Sequence, residues 1–187
     1  MDKLRIGVFG IGRGMDIAKN FMLLDCDAVA ICDNRKERHE AAAKQFDTPV
    51  AVYDDFDRFL EHGLDAVILA NYFHEHAPYA MKCFEKGIHV FSECISNGTK
   101  AEGVALIRAF ERHPVVYMLA ENDPQMIFNR EIKRICDTGT LGKILYAEGE
   151  YDSLFDQGEN KIPCCTVTDF KPTDAQLAQY EKARQTP

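Results

Sequence analysis

The sequence lacks a hydrophobic run long enough for a transmembrane helix. A helix that spans a bilayer needs roughly 18 or more consecutive apolar residues, and every apolar run in these 187 residues is shorter. The N-terminal residues "MDKLR" lead directly into a strand pattern, without the apolar segment of a secretory signal. We therefore expect no membrane partner and a cytoplasmic location.

An excess of positive charge is also absent. Lysine and arginine together number 22 against 30 acidic residues, which gives a net charge of -8. Binding to the phosphate backbone of a nucleic acid requires a clustered positive surface, and the basic residues here are scattered. We therefore expect no nucleic-acid partner.

The seven cysteines form no C-x-x-C motif, and most of them lie inside apolar runs. This usage is typical of small buried hydrophobic residues in a reducing compartment. The pair His74 and His76 has no third ligand nearby in the sequence, so it does not indicate a metal site. We predict neither a disulfide framework nor a bound metal.

What the sequence does contain is a regular alternation of strand and helix patterns. Apolar runs predict strands at residues 4–10, 28–33, 49–53, 64–70, 88–95 and 114–119. Amphipathic segments predict helices at residues 15–24, 34–46, 54–63, 75–86 and 99–112. Such alternation with short connections implies a parallel sheet with right-handed crossovers. We predict that residues 1–120 form a doubly wound α/β domain, a Rossmann fold, with its ligand site at the carboxyl ends of the strands.

A glycine-rich turn, "GIGRGM" at residues 10–15, follows the first predicted strand and opens the first helix. Glycines there allow a tight turn and let the backbone approach a pyrophosphate, which is then bound by the N-terminus of the helix. The turn departs from the G-x-G-x-x-G pattern, because Met15 stands at the third glycine position. A turn that binds no ligand is the alternative interpretation.

Asp33 ends the second predicted strand, about 20 residues after the turn, where a carboxylate can bind the ribose hydroxyls of a dinucleotide. The turn, the helix and Asp33 together predict dinucleotide binding by Gly10, Ile11, Gly12, Arg13 and Asp33. The charge of Asp33 favours NAD over NADP, whereas Arg35 leaves the use of NADP open.

The chain resembles the N-terminal half of Gfo/Idh/MocA-type oxidoreductases, which act mostly on sugars, polyols and their derivatives. The resemblance runs through "GVFGIGRG", "AICD", the passage "HAPYAMKCFEKGIHVFSE" and "GTLGKILYAEGEY", over about residues 4–151. It implies NAD as the cofactor, with NADP as an alternative, and hydride transfer between the nicotinamide and a hydroxyl-bearing carbon of a small sugar-like or polyol substrate. It also implies that four further residues line the cofactor site: Asn71, His76, Glu93 and Asn122.

This sequence differs from the family pattern at Cys94, which by the resemblance occupies the position of the family's lysine. That lysine helps to polarise the substrate oxygen, whereas a thiol is only a weak donor. We expect Cys94 to be a small half-buried residue rather than a reactive thiolate, because no lysine or histidine adjacent in sequence would lower its pKa.

The C-terminal part, residues 121–187, predicts only the beginning of a second, α+β domain. A helix at 124–138 and a strand at 143–152 continue the resemblance, which then stops. A short strand around 164–168 and a helix at 173–184 are predicted beyond it. The last histidine of the sequence is His113, so no histidine of this part can serve in catalysis, and we assign no catalytic residue.

Two functions of different classes remain open. The first is an NAD(P)-dependent oxidoreductase of the sugar or polyol dehydrogenase type. The second is a non-catalytic dinucleotide-binding module from a shortened chain. A flavodoxin-like regulator is less consistent with the sequence, because the first strand leads into glycines rather than acids. The identity of the substrate and homo-oligomerisation are left open.

Overall fold

The computed structural model describes residues 3–148. The chain divides into two compact units, Met1–Thr140 and Leu141–Pro187. The strands are β1 (Leu4–Phe9), β2 (Cys26–Cys32), β3 (Ala51–Tyr53), β4 (Ala66–Leu69), β5 (His89–Ser92) and β6 (Tyr117–Leu119). The α-helices are α1 (Arg13–Phe21), α2 (His39–Ala43), α3 (Phe56–Leu60), α4 (His76–Glu85), α5 (Lys100–Arg112) and α6 (Ile127–Asp137). Three short 3-10 helices precede α2, α4 and α6: Lys36–Arg38, Phe73–Glu75 and Asp123–Gln125.

The strands form one six-stranded sheet in the order β3-β2-β1-β4-β5-β6, and every neighbouring pair is parallel. The predicted doubly wound parallel sheet is therefore confirmed. The strand order reverses between β1 and β4, which is where open α/β sheets bind their ligands.

The registers of the strands place their last residues in one row across the sheet. Phe9 pairs with both Cys32 and Leu69, and Ser92 pairs with both Leu69 and Leu119. The residues that follow these strand ends therefore share the carboxyl edge of the sheet: Gly10, Asp33, Ala70, Glu93 and Ala120.

The apolar core has two parts, one on each face of the sheet, because side chains alternate along each strand. On one face, α3, α4 and α5 pack against the strands through residues such as Phe59, Phe84 and Leu106. On the other face, α1 and α2 cover residues such as Val8 and Ile31. Because helices pack on both faces of the central strands, the positions of these strands and of their carboxyl ends are fixed.

Two helices begin at residues whose side chains cap them. Thr99 caps α5, accepting from the backbone N–H of Glu102 at 3.2 Å, while the Glu102 side chain accepts from the N–H of Thr99 at 3.0 Å. Asp55 caps α3 by accepting from the N–H of Arg58 at 2.8 Å. These contacts satisfy N–H groups that would otherwise lack partners at a helix start.

Several predicted segments were wrong in extent, among them the helix predicted at 54–63, which is Phe56–Leu60, and the strand predicted at 114–119, which is Tyr117–Leu119. Three further differences have a physical reason. The helix predicted at 34–46 is a 3-10 turn followed by the five residues of α2, because Asp33 accepts from the backbone N–H of Arg35 and holds the chain in a turn there. The strand predicted at 88–95 ends at Ser92. The neighbouring β6 ends at Leu119, so the ladder does not continue past that row.

The third difference with a physical reason is the strand predicted at 143–152. Residues 143–148 form no strand, because a strand requires a hydrogen-bonded neighbour and no other segment within residues 3–148 pairs with them. The remainder of that segment lies outside the described residues. The predicted strand at 164–168 and the predicted helix at 173–184 lie outside them as well.

Helix α6, predicted to open the second domain, lies in the compact unit Met1–Thr140. Three of its apolar side chains are solvent-exposed, Ile127 at 87%, Phe128 at 60% and Ile132 at 55% exposure. The division into domains at residue 120 stays a prediction. No helix among the described residues is long and apolar enough to cross a bilayer.

Candidate functional site

The passage from β1 into α1 depends on two glycines, Gly10 in the turn and Gly14 in the first turn of the helix. Gly10 has a φ of +93°, and a Cβ built on it would lie 2.3 Å from the carbonyl oxygen of Ala70. A Cβ on Gly14 would lie 2.8 Å from Cγ1 of Val8, so this glycine lets α1 pack closely on the sheet. Gly14 thus fills the close-packing position that the G-x-G-x-x-G pattern assigns to its third glycine, one residue earlier than Met15.

Gly12 differs from its two neighbours, because no atom lies within 4 Å of a Cβ built on it. It is the N-cap of α1 and is solvent-exposed. The first N–H groups of a helix have no partner within the helix, and the helix dipole makes this end positive. The open space beside Gly12 and these N–H groups fit the pyrophosphate of a dinucleotide.

Asp33 is 6% exposed and ties the end of β2 to the glycine turn. Its Oδ2 accepts from the N–H of Ile11 at 3.0 Å, and its Oδ1 accepts from the N–H of Arg35 at 2.8 Å. The guanidinium of Arg35 also donates to both oxygens, at 3.2 and 3.4 Å. Burial acts to raise the pKa of Asp33, but the hydrogen bonds from Arg35 and Ile11 outweigh it, so the pKa lies below its ordinary value.

An ion pair connects the glycine turn to the end of β5. Nε of Arg13 donates to Oε1 of Glu93 at 2.8 Å, and the N–H of Cys94 donates to Oε2 of Glu93 at 3.1 Å. The side chain of Arg13 is 52% exposed and that of Glu93 only 15%. The pKa of Arg13 is raised, chiefly by its hydrogen bond to Glu93.

A cavity of about 500 Å³ lies beside this ion pair. Arg13, Glu93 and Asn122, all predicted site residues, line it together. Its apolar wall comes from α1, β5 and β6 and consists of Ile17, Phe21, Phe91 and Met118. The sequence-based prediction missed this wall and Glu121. The apolar wall leaves one signal in the sequence. Phe91 and Met118 alternate along β5 and β6 with Val90 and Tyr117, which pack into the core, so they face the opposite side of the sheet.

The other two predicted residues, Asn71 and His76, follow β4 and are not among the residues that line the cavity. Nδ1 of His76 donates to the carbonyl of Ile95 at 2.9 Å, and its Nε2 is buried without a hydrogen-bond partner among the described residues. Nδ2 of Asn71 donates to Glu75 at 3.2 Å, and its Oδ1 is likewise buried and unpartnered within residues 3–148. His76 therefore holds the loop after β5 in place.

The environment of Cys94 opposes thiolate formation. Burial raises the pKa of its thiol, and the carboxylates of Glu93 and Glu121 raise it further, against a smaller opposite effect of Arg13. Burial likewise raises the pKa of Cys32 to about 12. The five cysteines of the described part of the chain are free thiols. Within residues 3–148, no group of three or more His, Cys, Asp or Glu side chains is placed to hold a metal ion.

A family model described as "Oxidoreductase family, NAD-binding Rossmann fold" (GFO_IDH_MocA) matches residues 4–121. The chain belongs to this family, and the resemblance inferred from the motifs is confirmed. NAD is accordingly the cofactor of the fold that these residues form.

Curated relatives are longer than this chain. A "Glycosyl hydrolase family 109 protein" of Shewanella sp. (strain W3-18-1) is 30% identical over 165 residues, which cover 81% of this chain and 35% of the relative. A "Glycosyl hydrolase family 109 protein 1" of Bacteroides fragilis (strain YCH46) is 30% identical over 162 residues, with the same coverages of 81% and 35%. The chain therefore spans about a third of the length of these relatives.

Solved structures show the same fold. A probable dehydrogenase from Thermotoga maritima is 27% identical with a TM-score of 0.66, covering 75% of this chain and 43% of that chain. The WlbA dehydrogenase from Bordetella pertussis, in complex with NADH and UDP-GlcNAcA, is 24% identical with a TM-score of 0.67 and the same coverages, 75% and 43%. Scyllo-inositol dehydrogenase from Lactobacillus casei, with bound NAD(H) and scyllo-inositol, is 23% identical with a TM-score of 0.69, covering 75% and 42%.

Proposed function

We propose that this chain is the cofactor-binding part of an NAD(P)-dependent oxidoreductase that acts on a sugar or polyol derivative. In this proposal residues 1–120 bind the dinucleotide, and residues 121–187 begin the part that contacts the substrate. The observation that carries the proposal is the contact between Ile11 and Asp33 at the switch in strand order, which joins an open glycine turn to a carboxylate.

The residues of the carboxyl edge would divide the binding of the cofactor among them. The N–H groups from Gly12 to Gly14 would bind the pyrophosphate, and the carboxylate of Asp33 would bind the hydroxyls of the adenosine ribose. Arg13, Glu93 and Asn122 would surround the other end of the cofactor, since they line the cavity beside the turn. Asn71 and His76 would support this end through the loops after β4 and β5.

A bound nicotinamide would supply a hydride acceptor or donor, and the partner in the exchange would be a carbon that bears a hydroxyl. The sugar or polyol class is supported by the substrates named with the structural relatives, UDP-GlcNAcA and scyllo-inositol. The curated relatives, named as glycosyl hydrolases, also point to carbohydrates. The substrate-binding groups of those longer proteins need not be present in this chain, so the individual sugar is not assigned.

A second function is favoured by one observation, the thiol at Cys94. By resemblance to the family, a lysine at this position helps to polarise the substrate oxygen, and the raised pKa of Cys94 keeps a neutral thiol there. A neutral S–H is a weak donor and carries no positive charge to stabilise a developing alkoxide. A dinucleotide-binding module without dehydrogenase activity is therefore the alternative.

Turnover assays distinguish the two functions. The full chain is incubated with NAD and a panel of sugars, polyols and aryl glycosides, and the appearance of NADH is followed by absorbance, in parallel with a direct NADH titration. Protein-dependent turnover would establish the dehydrogenase and exclude the module. NADH binding without turnover by the wild type, by Cys94→Lys and by Cys94→Ser supports the module, and failure to bind NADH refutes both.

A further inference from the structure

Helix α5 has one face in the core and an opposite face that is open to solvent. Leu106 and Ala109, on the inner face, are buried in the core. On the outer face, Val104 is 50% exposed and Ile107 is 59% exposed. Both are β-branched, a class of side chain that does not favour a helix. Neither burial nor helix propensity therefore accounts for these two residues.

Val104 and Ile107 belong to a row of four residues along the outer face, which we call the α5 seam. Its members are Lys100, Val104, Ile107 and Glu111, with spacings of four, three and four. This is the spacing of the positions through which two helices pack in a coiled coil. All four line a shallow depression of about 560 Å³, together with Gly103 and Arg108. The seam thus has an apolar middle, a cation at its start and an anion at its end.

The charges of the α5 seam have no partners in the described part of the chain. Neither Lys100 nor Glu111 forms an ion pair within residues 3–148. Both also oppose the helix dipole, which favours anions in the first turn and cations in the last, whereas Lys100 begins α5 and Glu111 lies in its last turn. The stability of the helix by itself therefore does not account for these charges.

A second copy of the same helix, packed antiparallel, accounts for all four residues. Lys100 and Glu111 lie equally far from the point between positions 105 and 106, and so do Val104 and Ile107. A two-fold axis through this point brings Lys100 of each copy to Glu111 of the other. It also brings Val104 of each copy to Ile107 of the other. A two-fold contact uses one patch twice, and this patch is complementary to itself in charge and polarity.

We propose that the α5 seam is the surface through which two copies of this chain form an antiparallel dimer. Gly103, which has no side chain, leaves room for Arg108 of the second copy in the depression that both residues line. The inference goes beyond the proposed function and does not rest on it, because no residue of α5 lines the cavity beside Arg13 and Glu93.

The size of the α5 seam sets the strength of the dimer. Twelve helical residues extend about 16 Å, so the contact is smaller than the roughly 1,200–2,000 Å² of a stable interface. We therefore expect a weak dimer, with a dissociation constant on the order of 100 µM.

Sedimentation of the full 187-residue chain, at concentrations on either side of about 100 µM, tests this inference. Lys100→Glu and Glu111→Lys each place like charges opposite one another, and both agree with the helix dipole, so α5 is retained. Ile107→Asp puts a charge in the apolar middle. Lys19→Glu is the matched control, since it makes the same change of charge at an exposed residue of α1. Circular dichroism confirms that each variant is folded.

We expect the wild type and Lys19→Glu to form dimers at the higher concentrations. Each single charge variant should associate at least about tenfold more weakly, because like charges face each other twice in its dimer. An equimolar mixture of Lys100→Glu and Glu111→Lys should associate again, because two negative charges of one variant meet two positive charges of the other. Ile107→Asp should remain a monomer.

A wild type that stays monomeric at every concentration would overturn the inference. So would a dimer that persists unchanged in Ile107→Asp, or one that is lost in Phe128→Asp on the exposed side of α6 instead. Loss of the dimer in both charge variants without recovery in their mixture would overturn the antiparallel pairing. None of these results depends on whether the chain binds NADH, so the proposed function is tested separately.

Discussion

The backbone N–H of Ile11 donates to Oδ2 of Asp33 at 3.0 Å, across 22 positions of the sequence. Ile11 lies in the turn after β1 and Asp33 in the turn after β2. The contact fixes the distance between the two groups that a Rossmann fold uses for a dinucleotide, the glycine turn and the ribose-binding carboxylate. The two groups are therefore joined within the fold, and a substitution of Asp33 should affect both parts of the site, because the N–H of Ile11 would lose its acceptor.

The first prediction separates binding from folding at the glycine turn. Gly12→Val should abolish NADH binding and leave the melting temperature nearly unchanged, because the new side chain points into space that is open in the fold and that the pyrophosphate would occupy. Calorimetric titration and thermal unfolding measure the two properties. Wild-type affinity in a folded Gly12→Val variant would show that the turn is only structural.

Gly10→Ala is the matched variant and should behave in the opposite way. Its Cβ would lie 2.3 Å from a backbone oxygen of Ala70, at a φ of +93°. A non-glycine residue in that conformation costs of order 1–3 kcal/mol before any clash is counted. We expect a loss of unfolding free energy of at least that size in urea denaturation. An unchanged midpoint would contradict the geometry of the turn.

The second prediction concerns the pH dependence contributed by Asp33. Its pKa in the folded chain lies below the ordinary value of about 3.9, so the ionised form is favoured by folding. The resulting stability is fully present above about pH 5 and is lost as the pH falls below about 4 and through the folded pKa. At neutral pH Asp33→Asn should be less stable by about 1.5–3 kcal/mol, the usual worth of hydrogen bonds to a charged group.

Urea unfolding of both proteins from pH 7 to pH 3 measures this difference. The advantage of the wild type over Asp33→Asn should stay constant down to about pH 5 and shrink below about pH 4. An advantage that persisted undiminished to pH 3, or that disappeared above pH 5, would contradict the assigned shift.

The third prediction concerns the histidines after β4. His76→Ala removes a ring that is 1% exposed and bonded to the carbonyl of Ile95, and we expect it to cost about 2–4 kcal/mol of stability. His74→Ala is the matched control, because the side chain of His74 is 74% exposed, and its cost should stay within about 0.5 kcal/mol. Chemical denaturation compares them. Equal effects of the two substitutions would remove His76 from its structural role.

The fourth prediction concerns the reactivity of Cys94. Its raised pKa should make alkylation by iodoacetamide at pH 7 slower at Cys94 than at a cysteine of the same chain unfolded in urea, because the thiolate is the nucleophile. The rate at Cys94 should still be rising with pH above the ordinary thiol pKa of about 8.5, where the rate at an unfolded cysteine levels off. Mass spectrometry of the peptide that contains Cys94 isolates this residue from the other six cysteines. Faster reaction in the folded chain would indicate an activated thiolate.

The sequence was sufficient for those parts of the fold that depend on local patterns. Continuous apolar runs identified the six strands of the sheet, and glycines and Asp33 at the ends of the first two indicated the candidate site, whose residues stay a prediction. These residues are informative because a parallel sheet brings its carboxyl strand ends to one edge. The sequence departs from the G-x-G-x-x-G pattern, with Met15 at the third glycine position and a glycine at position 14 instead. Only the packing distance to Val8 showed that Gly14 is the residue that approaches the sheet.

Long-range side-chain contacts could not be predicted from the sequence. The pairing of Arg13 with Glu93 joins residues 80 positions apart, and no local pattern indicates which cation would meet that carboxylate. The ion pair of Arg35 with Asp33 joins residues close in sequence, yet it depends on side-chain rotamers that the sequence does not specify. The apolar wall of the cavity was missed for a related reason, since outward-facing apolar residues on a strand resemble core residues until the uncovered part of the sheet is known.

Calorimetric titration of the wild-type chain with NADH tests the central claim most directly. The glycine turn, the open N-terminus of α1 and the fixed carboxylate of Asp33 predict one binding site per chain, with a dissociation constant in the micromolar range and competition by ADP-ribose, which shares the pyrophosphate and both riboses. Absence of a saturable heat signal from a chain shown to be folded would contradict the account.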